Sequence, residues 1–284
     1  KTKLELTWPG KEERPRLEPR ILLEHPELGH HSATRRDGDQ FDNMLIKGDN
    51  LLALKALEQD HAGKVKCVFI DPPYNTGSAF EHYDDGLEHS LWLSLMRDRL
   101  DVIRRLLSDD GSLWVTLDDN EAHYFKVMCD QVFGRANFVA NVVWQKTLTR
   151  RNDARILSNA HDHVLVYAKN IAAFVVNKLP SGDKQRATYT NRDRDPRGDW
   201  LAVPFHAPNI RPNLTYEIVT PGGRVLLPPA GRCWSTTRER FDELVADNRI
   251  YFGQDGNGMA QRKKFWAESD NSIVPWTWWG YEEA

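Results

Sequence analysis

Cysteine is scarce in this chain. There are three in 284 residues, Cys67, Cys129 and Cys233, far apart and odd in number. That argues against a disulfide scaffold or a cysteine-built zinc site and fits a reducing cytoplasm. Long apolar runs are missing too. None approaches the roughly 20 residues needed to span a bilayer, so no membrane partner is expected. The first twenty residues are charged and proline-bearing, unlike a secretory signal. Nor is there an excess of positive charge: 38 Lys and Arg stand against 41 Asp and Glu, a net charge of −3. As a whole-chain figure that is a poor advertisement for a nucleic-acid binder. The distribution matters more. Lys146 to Lys264 carries 20 basic and 12 acidic side chains, while the last twenty residues hold four acids and no base. A basic segment thus follows an acidic one, read either as a phosphate-contacting surface or as a solvated face.

What is present is an ordinary globular composition, 40% hydrophobic and 28% charged, long enough for one large domain or two small ones. Residues 1–40 are polar and proline-rich and read as an extended N-terminal arm. From Phe41 to about residue 170 the pattern is α/β. Leu45–Lys47 reads as a short strand, Asn50–Gln59 as a helix and Val65–Ile70 as a buried strand with the continuous apolar run of a parallel sheet. Residues 75–88 form a polar loop long enough for a lid. Ser90–Leu107 is an amphipathic helix with Leu91, Leu95, Leu100, Ile103 and Leu107 at helical spacing. Ser112–Leu117, a helix from about Asn120 to Val132, and strands Phe138–Gln145 and Val164–Ala168 follow. The alternation predicts a doubly wound Rossmann-like sheet with its ligand site at the carboxyl ends of strands. From 171 to 284 the chain becomes turn-rich and mainly β. One helix, Thr236–Asp247, is expected there, capped by Ser235 or Thr236 with Glu239 in capping-box position.

Four residues carry the most chemical information: Asp71-Pro72-Pro73-Tyr74, directly after the strand 65–70. The first proline bars a helix and removes backbone donors. Asp71 and the neighbouring carbonyls are then a fixed row of acceptors with a flat ring beside them. Such a cup accepts hydrogen bonds from an exocyclic amino group and stacks its base. A tight proline turn is the alternative reading. Asp71 is the first candidate for catalysis, with the Pro72 carbonyl as second acceptor, Pro73 completing the turn and Tyr74 stacking.

The surrounding series extends the pattern. It comprises Leu45-Ile46-Lys47-Gly48-Asp49-Asn50-Leu51, Asn75-Thr76-Gly77 and Trp92–Leu100. Gly111–Glu121, Val142-Val143-Trp144-Gln145-Lys146, His161–Lys169 and Asp195-Pro196-Arg197-Gly198-Asp199-Trp200 complete it. This series resembles the amino-group DNA methyltransferases of the permuted β group, nearest to the modification subunits of type III restriction systems. The resemblance implies an S-adenosylmethionine-dependent, site-specific DNA methyltransferase acting on a flipped base. Its cofactor would be S-adenosylmethionine and its substrate double-stranded DNA. A homodimer and a restriction subunit are candidate partners. The region from 171 would be the target recognition region. Adenine N6 is expected over cytosine N4, since resembling cytosine enzymes more often carry Ser in place of Asp71. Enzymes that methylate glutamine or guanine N2 place a glycine loop before the tetrapeptide, and residues 1–70 hold none.

Other residues carry two readings each. Asp49, Asn50 and Asp71 are candidates to hold the cofactor, although Asp and Asn at a strand–helix junction also serve as helix caps. Asp118, Asp119 and Glu121 either support the pocket or cap the next helix, and capping is preferred. Asn75, Thr76, Lys146, Arg150 and Arg151, with Arg155 nearby, are candidates for DNA contact or an exposed loop. Arg197, Trp200 and Arg211 are candidates for base readout. His161-Asp162-His163 has the look of a metal pair, but no third ligand is evident, so a structural role is preferred and no metal is expected. One family signature, a Phe-x-Gly-x-Gly loop for the cofactor, is not found before Ala284. Phe252-Gly253-Gln254-Asp255-Gly256 imitates it with the wrong spacing. The sheet is therefore expected to be incomplete and the chain a truncated part of such an enzyme. A non-catalytic fragment that binds DNA or a partner is the competing reading.

Overall fold

A computed structural model describes all residues except 1–4, 31, 33, 77, 78, 81, 82, 85–87, 151, 153, 154 and 282–284. The chain divides into two compact units, Lys1–Val176 with Trp276–Ala284, and Asn177–Pro275. In the first, α1 (Asn50–His61) leads to β1 (Val65–Ile70), α2 (His89–Leu106), β2 (Leu107–Leu117), α3 (Ala122–Cys129), β3 (Phe138–Gln145) and β4 (His161–Ala168). The sheet order is β1–β2–β4–β3, with a terminal strand Trp278–Trp279 beside β3. The last strand thus belongs to the first unit's sheet rather than to the turn-rich region read from 171 onward. β1 and β2 are parallel, while β4 runs antiparallel to both β2 and β3. The α/β sheet is accordingly mixed.

α2 forms for the reason its periodicity predicts. Trp92, Leu93, Met96, Leu100, Ile103 and Leu106 fall on one stripe and are buried. The first five pack with Leu113, Val115 and Leu117 of β2 and Phe125 and Met128 of α3, and Leu106 packs with Leu51 and Val102. Leu91, expected in that stripe, is 60% exposed, and Trp92 takes the buried position. The other sheet face packs Val142, Val164 and Val166 with Trp114, Trp144 and Trp279. Among the described residues no helix is long and apolar enough to cross a membrane.

Three expectations for this unit change. Leu45–Lys47 is not a strand: Leu45 is fully exposed and pairs with nothing in the sheet. β1 is not buried on both faces; it is the edge strand, and Phe69 is 62% exposed. Among its described residues the N-terminal arm has no regular structure apart from the 3-10 turn Pro26–Leu28, yet it is anchored. Trp8 Nε1 donates to Ser94 Oγ at 2.8 Å, Arg97 donates to the Glu13 carbonyl at 2.9 Å, and Arg14 pairs with Asp98 and Asp101. The lid segment 75–88 lies partly outside the described residues; within it Ala79–Phe80 pairs antiparallel with Tyr83–Asp84.

The second unit is turn-rich and mainly β, as its composition predicts. Its largest sheet joins β5 (Trp200–Pro204), β6 (Ile250–Tyr251) and β7 (Gln261–Phe265), with β7 in the centre. The expected helix is Arg238–Ala246, with Thr237 at its N-cap and no side-chain capping bond. The capping box expected of Ser235 or Thr236 with Glu239 does not form; Glu239 bonds instead to the Thr237 side chain and its own backbone N–H. Phe205, Trp234, Phe241 and Leu244 form the core.

Candidate active site

The strand register assembles the site. β1 and β2 run parallel with Ile70 beside Val115, so the next residue of each strand, Asp71 and Thr116, are neighbours. Thr116 is buried and its Oγ1 donates to Asp71 Oδ1 at 2.6 Å. The carboxylate is held by a neutral donor that fixes its rotamer. The two prolines are pinned from below. Trp92, fully buried and edge-on to Phe125, donates from Nε1 to the Pro73 carbonyl at 2.8 Å. That bond occupies the Pro73 oxygen.

The chain reverses immediately after Tyr74. Asn75 has φ +56°, a left-handed conformation that asparagine tolerates better than most residues. Its Nδ2 donates to Glu121 Oε1 at 2.7 Å, and His89 Nδ1 lies 2.9 Å from the same oxygen. Glu121 is 2% exposed. The capping preference for Glu121 is overturned: it makes no capping bond and instead ties the turn after Tyr74 to the start of α2. Nor does Asp118 cap the helix: its Oδ1 accepts from the Asn120 backbone N–H at 2.9 Å, closing a turn that precedes α3.

Tyr74 is half-buried, and burial pushes its phenol well above the usual tyrosine range, with Thr116, Asp71 and Asp162 as polar neighbours. Asp162 is the residue that sequence reasoning missed. It is 3% exposed on β4, between the two histidines that drew notice. Strand alternation turns it to the opposite face from them. Lys146 Nζ donates to Asp162 Oδ1 at 2.7 Å. Burial, with Asp162 adding repulsion, pushes the Asp118 carboxyl up. Asp71, Thr116, Tyr74, Asp118, Asp162 and Lys146 therefore gather at one end of four adjacent strands. The available signal was the alternation itself: a polar residue on the face opposite His161 and His163 must go somewhere.

The remaining expected site residues separate. Asp49 accepts from the Leu51 and Leu52 backbone N–H groups, and Asn50 Oδ1 accepts from Arg99 Nε at 2.7 Å. Both are engaged structurally at the start of α1. Arg150 and Thr76 are exposed, and Arg151 lies outside the described residues. In the second unit Arg211 is exposed. Trp200 is fully buried, with Nε1 bonded to Asp193, so it cannot stack on a base. Arg197 makes a two-pronged bond to Asp195, at 2.9 and 2.8 Å, and reaches Asp247, so its fork is occupied. Base readout by these two residues is replaced by a structural role. Lys146 and Asn75, expected to face DNA, likewise spend their donors on Asp162 and Glu121.

Residues 65–219, more than half of the chain, match the family model of DNA methylases designated N6_N4_Mtase. The chain belongs to the DNA methylase family. Among curated relatives, this methylase chain is 33% identical over 268 residues to the type III restriction-modification enzyme StyLTI Mod subunit of Salmonella typhimurium. That match covers 84% of this chain and 40% of the relative. It is 33% identical over 329 residues to the EcoP15I Mod subunit of Escherichia coli, covering 92% and 50%. It is 32% identical over 245 residues to the type II methyltransferase M.EcaI of Enterobacter cloacae, covering 84% and 52%. The likeness to modification subunits seen in the motifs is thus borne out. The chain spans about half the length of the curated relatives it matches, or less.

Proposed function

We propose that this chain carries the base-binding part of a site-specific DNA adenine-N6 methyltransferase. The observation that supports it best is the fixed acceptor cup: Asp71 oriented by Thr116, with the prolines pinned by Trp92. An adenine amino group is a poor nucleophile because its lone pair is conjugated with the ring. As it attacks, the nitrogen pyramidalises and gains positive charge. The Asp71 carboxylate and the Pro72 carbonyl accept its two N–H bonds and stabilise that charge more in the transition state than in the ground state. The proton leaves after attack, so no strong general base is needed. Tyr74 stacks on the base, which has left the duplex; such stacking is worth about 1–3 kcal/mol.

The donor set suits a cationic methyl donor. Asp71, Asp118 and Asp162 lie at one strand end with Lys146 as their cation. S-adenosylmethionine, when bound, supplies an electrophilic methyl on a positively charged sulfonium. Asp71 and its neighbouring backbone are the residues of this chain that would face it. Asp49, at the start of α1, keeps its exposed carboxylate edge for the donor's amino-acid end. The second unit, Asn177–Pro275, is the proposed target recognition region, with exposed Arg211 as a DNA contact and Arg150 and Thr76 contributing from the first unit. A restriction subunit and a second copy of the chain are proposed partners, and the cytoplasm is the proposed compartment.

The test is transfer of labelled methyl from S-adenosylmethionine to DNA by the protein, with the modified nucleoside identified. N6-methyladenine is expected; N4-methylcytosine as the sole product would defeat the assignment. Thr116→Val probes the cup more finely. It keeps the shape and deletes the donor to Asp71, a bond to a charged group worth about 1.5–3 kcal/mol. The turnover rate is expected to fall roughly 10- to 100-fold, with little change in DNA affinity. An unchanged rate would mean that Asp71 needs no such orientation.

A further inference from the structure

On the sheet face turned away from Asp162 lies a second cluster, outside the cup proposed for methyl transfer. His161 and His163 alternate on β4 and so share one face. β4 pairs with β2 so that His163 lies opposite Leu117, two residues before Asp119. The carboxylate that ends β2 is thereby delivered to the two imidazoles. One donor atom from each of Asp119, His161 and His163 lies within 4.8 Å of the others. This is the third donor that the sequence left unidentified. We propose that these three side chains bind a divalent cation of the Zn2+ class.

The surroundings are those of a ligand set. His163 Nδ1 sits 3.1 Å from the Asn141 amide, which orients the ring, and Nε2 is aimed at Asp119 Oδ1, 2.8 Å away. An outer-shell partner on the far ring nitrogen is the usual companion of a metal-binding histidine. The His161 ring makes no side-chain hydrogen bond among the described residues; its neighbour is the His163 ring, edge-on at 5.3 Å. It has no structural duty that explains its position. His123 Nε2 is 3.9 Å from Asp119 Oδ1 and is within reach as a fourth ligand. Lys126, which lines the adjoining cavity, is engaged with Asp130 at 2.7 Å. A cavity of about 310 Å³ opens beside the cluster, lined by His123, Asn141 and His163 among others, with room for metal-bound water.

Two imidazoles and one carboxylate suit a borderline cation better than Mg2+ or Ca2+, which prefer all-oxygen shells. Zn2+ bonds of about 2.0–2.2 Å require the donors to draw together by side-chain rotation, without backbone change. Bound there, the ion ties the end of β2 to β4 and, through His123, to the start of α3. It braces the wall behind the base cup from outside the cup.

The alternative is a plain hydrogen-bonded pair, Asp119 with His163, and a bystander His161. His161→Ala separates the two, because it deletes a ligand and leaves the pair intact. Chelator-stripped chain would be titrated with Zn2+ by calorimetry in a Cys67→Ser background, which removes the exposed thiol. Expected are one Zn2+ per chain, a Zn2+-dependent rise in thermal midpoint, and at least tenfold weaker binding in His161→Ala and in Asp119→Asn. Asn141→Ala is expected to weaken binding 10- to 100-fold. Equal affinity in wild type and His161→Ala, or no one-to-one binding, would overturn the site. Neither result depends on methyl transfer, so the proposed function stands or falls separately.

Discussion

Asp71→Ala is expected to reduce methyl transfer to DNA by about 10²–10³-fold, the usual loss when one preorganised transition-state contact is deleted. The fold is expected to survive. Asp71 is exposed, and its loss leaves the Thr116 and Tyr74 hydroxyls to find other partners. The Pro73–Trp92 bond that fixes the turn does not pass through it. DNA affinity and the unfolding midpoint should therefore stay near wild type while turnover collapses. Asp71→Asn is the sharper companion. It keeps one acceptor oxygen but presents an amide N–H₂ group to Thr116 or to the amine, and removes the negative charge that offsets the charge developing on nitrogen. It is expected to be nearly as impaired as alanine. Turnover above a tenth of wild type in both variants would remove Asp71 from the chemistry and leave the cup as a turn.

How much of this was legible in the sequence follows from the range of the interactions. The helices α1 and α2, the strands β1, β2 and β3 and the cup itself were readable because local periodicity and proline stereochemistry determine them. The partners of the cup were not. Thr116 reaches Asp71 only through the β1–β2 register, and Asp162 and Lys146 meet only because β3 and β4 are antiparallel neighbours. Glu121 read as a cap because acids near helix starts usually are caps; its bond to Asn75 spans 46 positions. Arg197 and Trp200 read as DNA contacts from residue type alone. Whether an arginine fork is free depends on whether an acid is already folded beneath it, and Asp195 is two residues away on a tight turn. Net charge by segment was equally blind to such pairing.

That buried acid supports the second large effect. Lys263 sits on the central strand β7 of the second unit with its ammonium fully buried. It bonds to Asp193 and, at 3.2 Å, to the fully buried Asp195, and lies 5.3 Å from the centre of the Trp200 ring. Lys263→Met keeps the length and apolar stem but removes the charge. Breaking a buried pair from one side strands the remaining charge and costs about 3–5 kcal/mol, a large part of the 5–15 kcal/mol typical of a domain. The denaturant midpoint of the second unit is expected to drop accordingly, with the slope unchanged. Acid sensitivity supplies an independent reading. The bond from Arg197, helped by Lys263, holds the Asp195 carboxyl far below the usual carboxylate range in the folded chain. A group depressed on folding stabilises the native state fully above its unfolded value, near 3.9, and that contribution is lost as pH falls through the folded value. Without Lys263 the folded value rises toward the unfolded one, so less stability remains to be lost and the unit starts from a lower plateau. Acid unfolding of Lys263→Met should therefore set in at higher pH than wild type, measured by circular dichroism across pH 2–6. Midpoints that coincide in denaturant and in acid would show that Arg197 alone satisfies Asp195, and that the lysine beneath it is dispensable.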